Sequence, residues 1–158
     1  MGLPASELRA LVVAAEMHDV GKISVTVSIL TKPGPLTEEE FAIVKEHANR
    51  GYEIASKVAP LKDLAEIIRC HHERLDGSGY PNGLIGEDIP MLARIVAVAD
   101  SYDAMTSKRP YRDTFSHLEA MGELLTASGV TLDARCVQAL VDVFSEPGSR
   151  VTPSELAA

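Results

Sequence analysis

The sequence predicts an all-α domain, and three observations carry that reading. Apolar residues recur at helical spacing along nearly the whole chain. Two capping boxes, Thr37 with Glu40 and Ser116 with Glu119, mark helix starts. No segment alternates with the period of two that a half-buried strand requires. The 158 residues suit one domain with a real core. Residues 1–145 are assigned to that domain, and 146–158 to a frayed C-terminal tail.

Ser6 is placed to cap the first helix, whose apolar stripe reads Leu8, Leu11, Val12 and Ala15. Residues 23–36 read as loop, ending in Lys32-Pro33-Gly34-Pro35. The Thr37 box opens a helix with Phe41, Val44, Ala48, Ala55 and Val58 on one side, and Pro60 ends it. The next stripe is Leu61, Leu64, Ala65 and Ile68. From Asp76 to Pro90 the chain holds four glycines and two prolines and reads as an irregular loop. Leu92, Ile95, Val96 and Ala99 form another stripe. The Ser116 box opens a helix that ends near Gly129, and a last helix carries Val137, Leu140, Val141 and Phe144.

Composition excludes several function classes. A net charge of −8 argues against binding a nucleic acid polymer, although metal ions can supply local positive charge for a small anionic ligand. No apolar run reaches the ~18 residues of a membrane span, and no secretory signal is visible. Cys70 and Cys136 lie in helical patterns and read as reduced core residues, which points to the cytoplasm.

Each stripe, extended by its own period, runs into a polar group. The first reaches His18 and Asp19, the second passes His47, the third reaches His71 and His72, and the fourth reaches Asp100 and then Asp103. One inward histidine is ordinarily a hydrogen-bonded core residue. Four helices that each turn His or Asp inward are expensive unless those groups share a partner. Convergence on metal explains them together. Imidazole and carboxylate donors without thiolate suit Fe, Mn or Zn better than Ca or an iron–sulfur cluster. Asp19, beside His18, is the natural bridge between two ions. Adjacent side chains on a helix diverge by ~100°, so His18-Asp19 and His71-His72 belong at helix ends.

At this point the sequence resembles a known family. His18-Asp19-Val20-Gly21-Lys22, Lys45-Glu46-His47 and His71-His72-Glu73 with Asp76-Gly77-Ser78-Gly79-Tyr80-Pro81 are similar to the motifs of the HD-GYP cyclic di-GMP phosphodiesterases. The run from Asp100 to Arg112 matches that family's second signature, and the likeness spans roughly residues 8 to 145. The resemblance implies an HD-domain helical bundle and a metal-dependent phosphodiesterase that opens cyclic di-GMP to pGpG, with GMP as a further product, through a metal-activated hydroxide. It implies two divalent ions, iron or manganese ahead of other metals. Asp19, His47, His71 and His72 would hold one; His18, the bridging Asp19 and Asp100 would hold the other. Asp19 and Lys22 take the catalytic roles. Lys22, Tyr80, Arg109 and Arg112 contact the cyclic dinucleotide, the arginines through bidentate forks. Glu73 is assigned to orienting a histidine or, equally, to an exposed helix end.

The sequence departs from that family in one respect. HD-type sites usually draw a further His or Glu from a helix upstream of the His-Asp pair, and no histidine precedes His18 here. Glu16 sits ~200° around the helix from His18, and Glu7 lies ~16 Å along it. The N-terminal helices typical of the family are therefore expected to be missing and the His18/Asp100 position to bind metal loosely. A second copy, or an attached sensory or receiver domain, is expected as a partner. The competing function is a catalytically impaired module that binds a nucleotide or a partner.

Overall fold

A computed structural model describes residues 1–107 and 114–145. Arg109, Arg112 and the tail at 146–158 lie outside the described residues. The eight α-helices described are α1 (Ala5–Met17), α2 (Val27–Leu30), α3 (Glu38–Lys45), α4 (His47–Ser56), α5 (Ala65–Cys70), α6 (Met91–Thr106), α7 (His117–Ala127) and α8 (Ala134–Ser145). Three 3₁₀ turns, Val20–Ser24, Ala59–Leu64 and Gly86–Asp88, join them. Among the described residues the only β pairing is two isolated bridges, so the fold is all-α as expected. No helix among these residues is long and apolar enough to cross a membrane.

Both capping boxes form. Glu40 N–H donates to Thr37 Oγ1 at 3.2 Å while the Glu40 carboxylate accepts from Thr37 N–H at 2.8 Å, and Ser116 and Glu119 repeat the exchange. Three expectations need correction. Ser6 lies inside α1, and Pro4 takes the cap position with no side-chain hydrogen bond. The helix expected from Thr37 to Pro60 is two helices broken at Glu46, where the Val44 carbonyl bonds the His47 ring instead of serving only the backbone ladder. Periodicity misses this break because both halves keep the same stripe. Within residues 23–36, expected as loop, lie the end of the 3₁₀ turn Val20–Ser24 and a single turn of α-helix, Val27–Leu30.

The core has two parts that share α6. Ala14, Ile68, Ala93 and Val96 belong to a cluster of α1, α4, α5 and the first half of α6, whereas Ala97, Val98, Leu124 and Val137 join α7 and α8 to its second half. Leu8 and Val12, on the stripe of α1 that missing upstream helices are expected to leave uncovered, are about half exposed, while Leu11, expected to share that exposure, packs against the first cluster. Phe41, expected inside, is 44% exposed.

Close backbone contact sets the position of the 3₁₀ turn at Val20–Ser24. A Cβ built on Gly21 would lie 1.9 Å from the His47 carbonyl oxygen and 2.6 Å from the Gly51 nitrogen. Only glycine permits that approach, and the approach carries Asp19 to the N-terminal end of α4.

A buried ion pair ties α6 to the start of α8. Arg94 Nη1 donates to Asp133 Oδ2 at 3.1 Å and its Nε donates to the Ile89 carbonyl at 2.8 Å. Asp133 also accepts from the Arg135 amide and guanidinium, which makes it the N-terminal cap of α8. Burial opposes its charged form, but the bonds from Arg135 and Arg94 prevail and hold the carboxyl at about 2. Because the folded value lies below the unfolded one, its stabilisation is present above about pH 4 and disappears as pH falls through about 2. Asp133→Asn is expected to cost about 2–4 kcal/mol at pH 7. Urea unfolding at a series of pH values should show the gap to wild type closing between pH 4 and 2; a gap independent of pH would contradict this account.

Candidate functional site

Three helices end at the same place, and each ends on a histidine or turns into one. Helix α1 stops at Met17 before His18, α3 stops at Lys45 two residues before His47, and α5 stops at Cys70 before His71. The last carbonyls of a helix have no amide partner within it. Here the imidazoles supply donors: His18 Nδ1 lies 2.6 Å from the Ala15 oxygen, His47 Nδ1 2.7 Å from that of Val44, and His71 Nδ1 2.6 Å from that of Ile68. A carbonyl only accepts, so each Nδ1 carries a proton, and in the neutral rings of His47 and His71 this leaves Nε2 as a free electron pair. The sequence signal for helix ends at the His pairs is thus explained by the backbone chemistry of the ends themselves.

The free nitrogens converge. One donor atom from each of Asp19, His47, His71 and His72 lies within 4.8 Å of the others, the spacing a metal ion needs from its ligands. His47 and His71 are fully buried, and their Nε2 atoms are 3.4 Å apart. Asp19 divides its two oxygens between neighbours. Oδ1 is 3.5 Å from His47 Nε2, and Oδ2 is 3.4 Å from His18 Nε2. Asp19 Oδ1 is buried and makes no hydrogen bond, an arrangement that is costly without a cation. His18 and Asp100 stand beside the cluster: His18 Nε2 is 3.6 Å from Asp100 Oδ1, and His72 Nδ1 is 3.9 Å from Asp100 Oδ2. On that side the site opens into a cleft of about 250 Å³ between α1 and α6, lined in part by Ala15, Val96 and Asp103.

The donors are in the protonation states that ligation requires. Burial lowers His47, lowers His71 to about 4 and lowers His72 further, the last reinforced by His71. Asp19 is held well below the usual carboxylate range, because hydrogen bonds with His18 and Lys22 outweigh the cost of burial. Asp100 is lowered against burial by its bond with His18. His18 differs: burial disfavours its charge, yet Asp100 and Asp19 raise it to about 10. Cys70 precedes the pair and takes no part, its thiol being pushed up to about 12 by burial.

Around the cluster lie the groups that can meet a ligand. Lys22 Nζ is 2.5 Å from Asp19 Oδ2. The ring of Tyr80 is centred 4.7 Å from that of His72, and burial pushes its phenol above the ordinary range. Asp103, one turn beyond Asp100, accepts from Ser107 Oγ, and Asp76 shapes its own loop by accepting from Ser78. His117 is exposed and bonded to Tyr102 OH.

Glu73 corrects the expectation made for it. It is buried, and its carboxylate hydrogen-bonds to no histidine ring among the described residues. Its carboxylate accepts the amides of Asn82 at 2.7 Å and Leu84 at 3.0 Å, which folds the Gly-Tyr-Pro loop back over the histidines. Gly79 lets the loop close, since a Cβ there would stand 2.4 Å from the Arg74 nitrogen. The glycine serves an approach of backbone to backbone rather than to a ligand. Arg74, half-buried and close enough to Asp100 to feel its charge, carries no signal in sequence, because a charge in a loop does not show what it faces. Glu73→Gln removes one acceptor and leaves a buried amide facing a donor. It is expected to cost about 2 kcal/mol and to speed hydrogen exchange at Asn82 and Leu84. Unaltered exchange would show that the loop is held by other contacts.

The model of a family described as HD domain matches residues 1–136. The cyclic di-GMP phosphodiesterase response regulator RpfG of Xanthomonas campestris pv. campestris is 47% identical over 143 residues, covering 89% of this chain and 38% of that protein. A cyclic di-GMP phosphodiesterase of Thermotoga maritima is 45% identical over 148 residues, covering 92% of this chain and 40% of its own length. A 3'3'-cGAMP-specific phosphodiesterase 2 of Vibrio cholerae is 41% identical over 147 residues, covering 92% and 28%. This chain therefore spans less than half the length of these relatives. The crystal structure of a cyclic GMP-AMP-specific phosphodiesterase of V. cholerae superposes with a TM-score of 0.70 at 19% identity, over 99% of this chain and 44% of that one, a likeness of fold. The matched family model, the all-α bundle and the His-Asp and Gly-Tyr-Pro motifs together place the chain in the HD domain family, in its HD-GYP branch.

Proposed function

We propose that this chain is a metal-dependent phosphodiesterase that opens cyclic di-GMP to linear pGpG, with GMP as the product of a second cleavage. The observation that carries the reading is the gathering of four donor atoms within 4.8 Å around a buried, unpartnered carboxylate oxygen. The names of the relatives support the substrate class: cyclic di-GMP and 3'3'-cGAMP are both cyclic dinucleotides, and both contain guanine. Cys70 and Cys136, free and buried, suit a reducing cytoplasm.

In this reading Asp19, His47, His71 and His72 hold one divalent ion, and His18, Asp19 and Asp100 hold a second, with iron or manganese as the metals of choice. Bound there, the ions supply Lewis acidity and acidify water for attack on phosphorus. The chain's own residues supply the rest. Asp19 serves both positions, one oxygen facing His47 and the other His18. The Nδ1 bonds to helix carbonyls keep His47 and His71 in the tautomer that offers Nε2, and the same bond orients His18, which offers Nε2 once it gives up its proton. Lys22, now paired with Asp19, is placed to turn toward a phosphate oxygen. Tyr80 walls the ligand side of His72. Arg109 and Arg112, outside the described residues, remain assigned to the second phosphate. The reaction breaks the bond from phosphorus to the ribose 3' oxygen, the water oxygen stays on phosphorus, and the proton goes to the departing oxygen.

Metal analysis and product analysis test this together. Purified protein is expected to hold at least one equivalent of Mn or Fe and to convert cyclic di-GMP to pGpG. His71→Ala should lose metal and at least about a hundredfold in turnover, since even outer partners of metal ligands are worth 10–100-fold. Less than about half an equivalent of metal, unaltered by His71→Ala, would overturn the metal centre. Tight binding of the dinucleotide with no linear product would favour the binding module instead.

A further inference from the structure

Beside the His-Asp cluster, a cation is held over two aromatic rings. Lys45 Nζ lies 4.6 Å from the centre of the Phe41 ring and 5.6 Å from that of Tyr80. Phe41 and Tyr80 meet edge to face with centres 6.3 Å apart, and Tyr80 leans on His72. Lys45 makes no ion pair among the described residues, although the chain carries 23 acidic side chains. Its place in the last turn of α3 suits the helix dipole. The dipole does not account for an ammonium folded over two rings from different elements, one of them Phe41 with 44% of its surface exposed. Ring faces hold a cation without a carboxylate to neutralise it, so its N–H donors remain for a ligand.

We infer that Lys45, with Phe41 and Tyr80, forms the lip of the site that reads a guanine base of the substrate. This rests on the cyclic-dinucleotide reading above and adds to it which base is selected and by what. A base brings a flat face, which aromatic surface receives and a phosphate cannot use. Guanine offers O6 and N7 as adjacent acceptors to a lysine ammonium, whereas adenine replaces O6 with an amino donor. In the proposed function a phosphate falls to Lys22, which lies against Asp19 within the cluster.

The test is calorimetric titration of the manganese-loaded chain and its variants with cyclic di-GMP and cyclic di-AMP, followed by product analysis on the same samples. Wild type is expected to prefer the guanine ligand. Lys45→Met, which keeps the stem over the rings, should weaken cyclic di-GMP by about tenfold and shrink the preference by a similar factor. Lys45→Arg should retain most of it, and circular dichroism identifies any variant that fails to fold. A preference unchanged in Lys45→Met overturns the inference. Equal weakening of both ligands also overturns it, because that marks a phosphate contact. A Lys45-dependent preference without linear product supports the lip while removing the phosphodiesterase reading, and failure of wild type to bind either ligand removes both.

Discussion

The site depends on one arrangement: helix ends whose last carbonyls accept hydrogen bonds from the Nδ1 atoms of histidines. Each of Ala15, Val44 and Ile68 offers a carbonyl near the end of its helix, and each is met by the imidazole three residues on; that of Val44 also accepts the Glu46 amide. The bond satisfies the backbone, fixes the ring and selects the tautomer at once. It also directs three helix C-termini, the negative ends of their dipoles, toward one small volume. A cation belongs there on electrostatic grounds before any ligand distance is considered.

Bringing three helix ends together requires contacts that ordinary side chains would prevent. The turn after Asp19 lies against α4 through Gly21, and the Gly-Tyr-Pro loop folds onto the His71-His72 segment through Gly79. Glu73 then closes the loop by taking two of its amides in a buried carboxylate. The same residues that make the loop look irregular in sequence make it specific in space. A loop secured in this way can present Tyr80 at a set position beside His72, which a merely flexible connection could not.

Much of this was legible from the residues alone. Periodicity gave the all-α class and pointed the polar groups inward, because burying His and Asp on an apolar stripe has few explanations. The two capping boxes were readable because both partners are local. The break at Glu46 was not, since a helix interrupted for one residue preserves its stripe. The role of Glu73 was hidden because its partners, nine and eleven residues on, are backbone amides and leave no mark in side-chain pattern. Phe41 looked like core for the opposite reason: hydrophobicity is a local property, and burial depends on what packs above it.

The two halves of the cluster differ in exposure, and the difference bears on how the proposed site would work. His47 and His71 are sealed and neutral, so a cation at their end meets preformed donors and little water. His18 and Asp100, each about a fifth exposed at the side chain, border the open cleft, and His18 retains its proton through Asp100 and Asp19. A cation at this second position must displace that proton and complete its coordination from the cleft side. Asp19 belongs to both halves. Its sealed oxygen is useful only to an ion, while its other oxygen is shared with His18 and Lys22. Occupation of the closed end therefore changes the charge that the open end experiences through a single carboxylate. On the proposed function, the closed end holds the fold's metal and the open end is where a phosphate can enter.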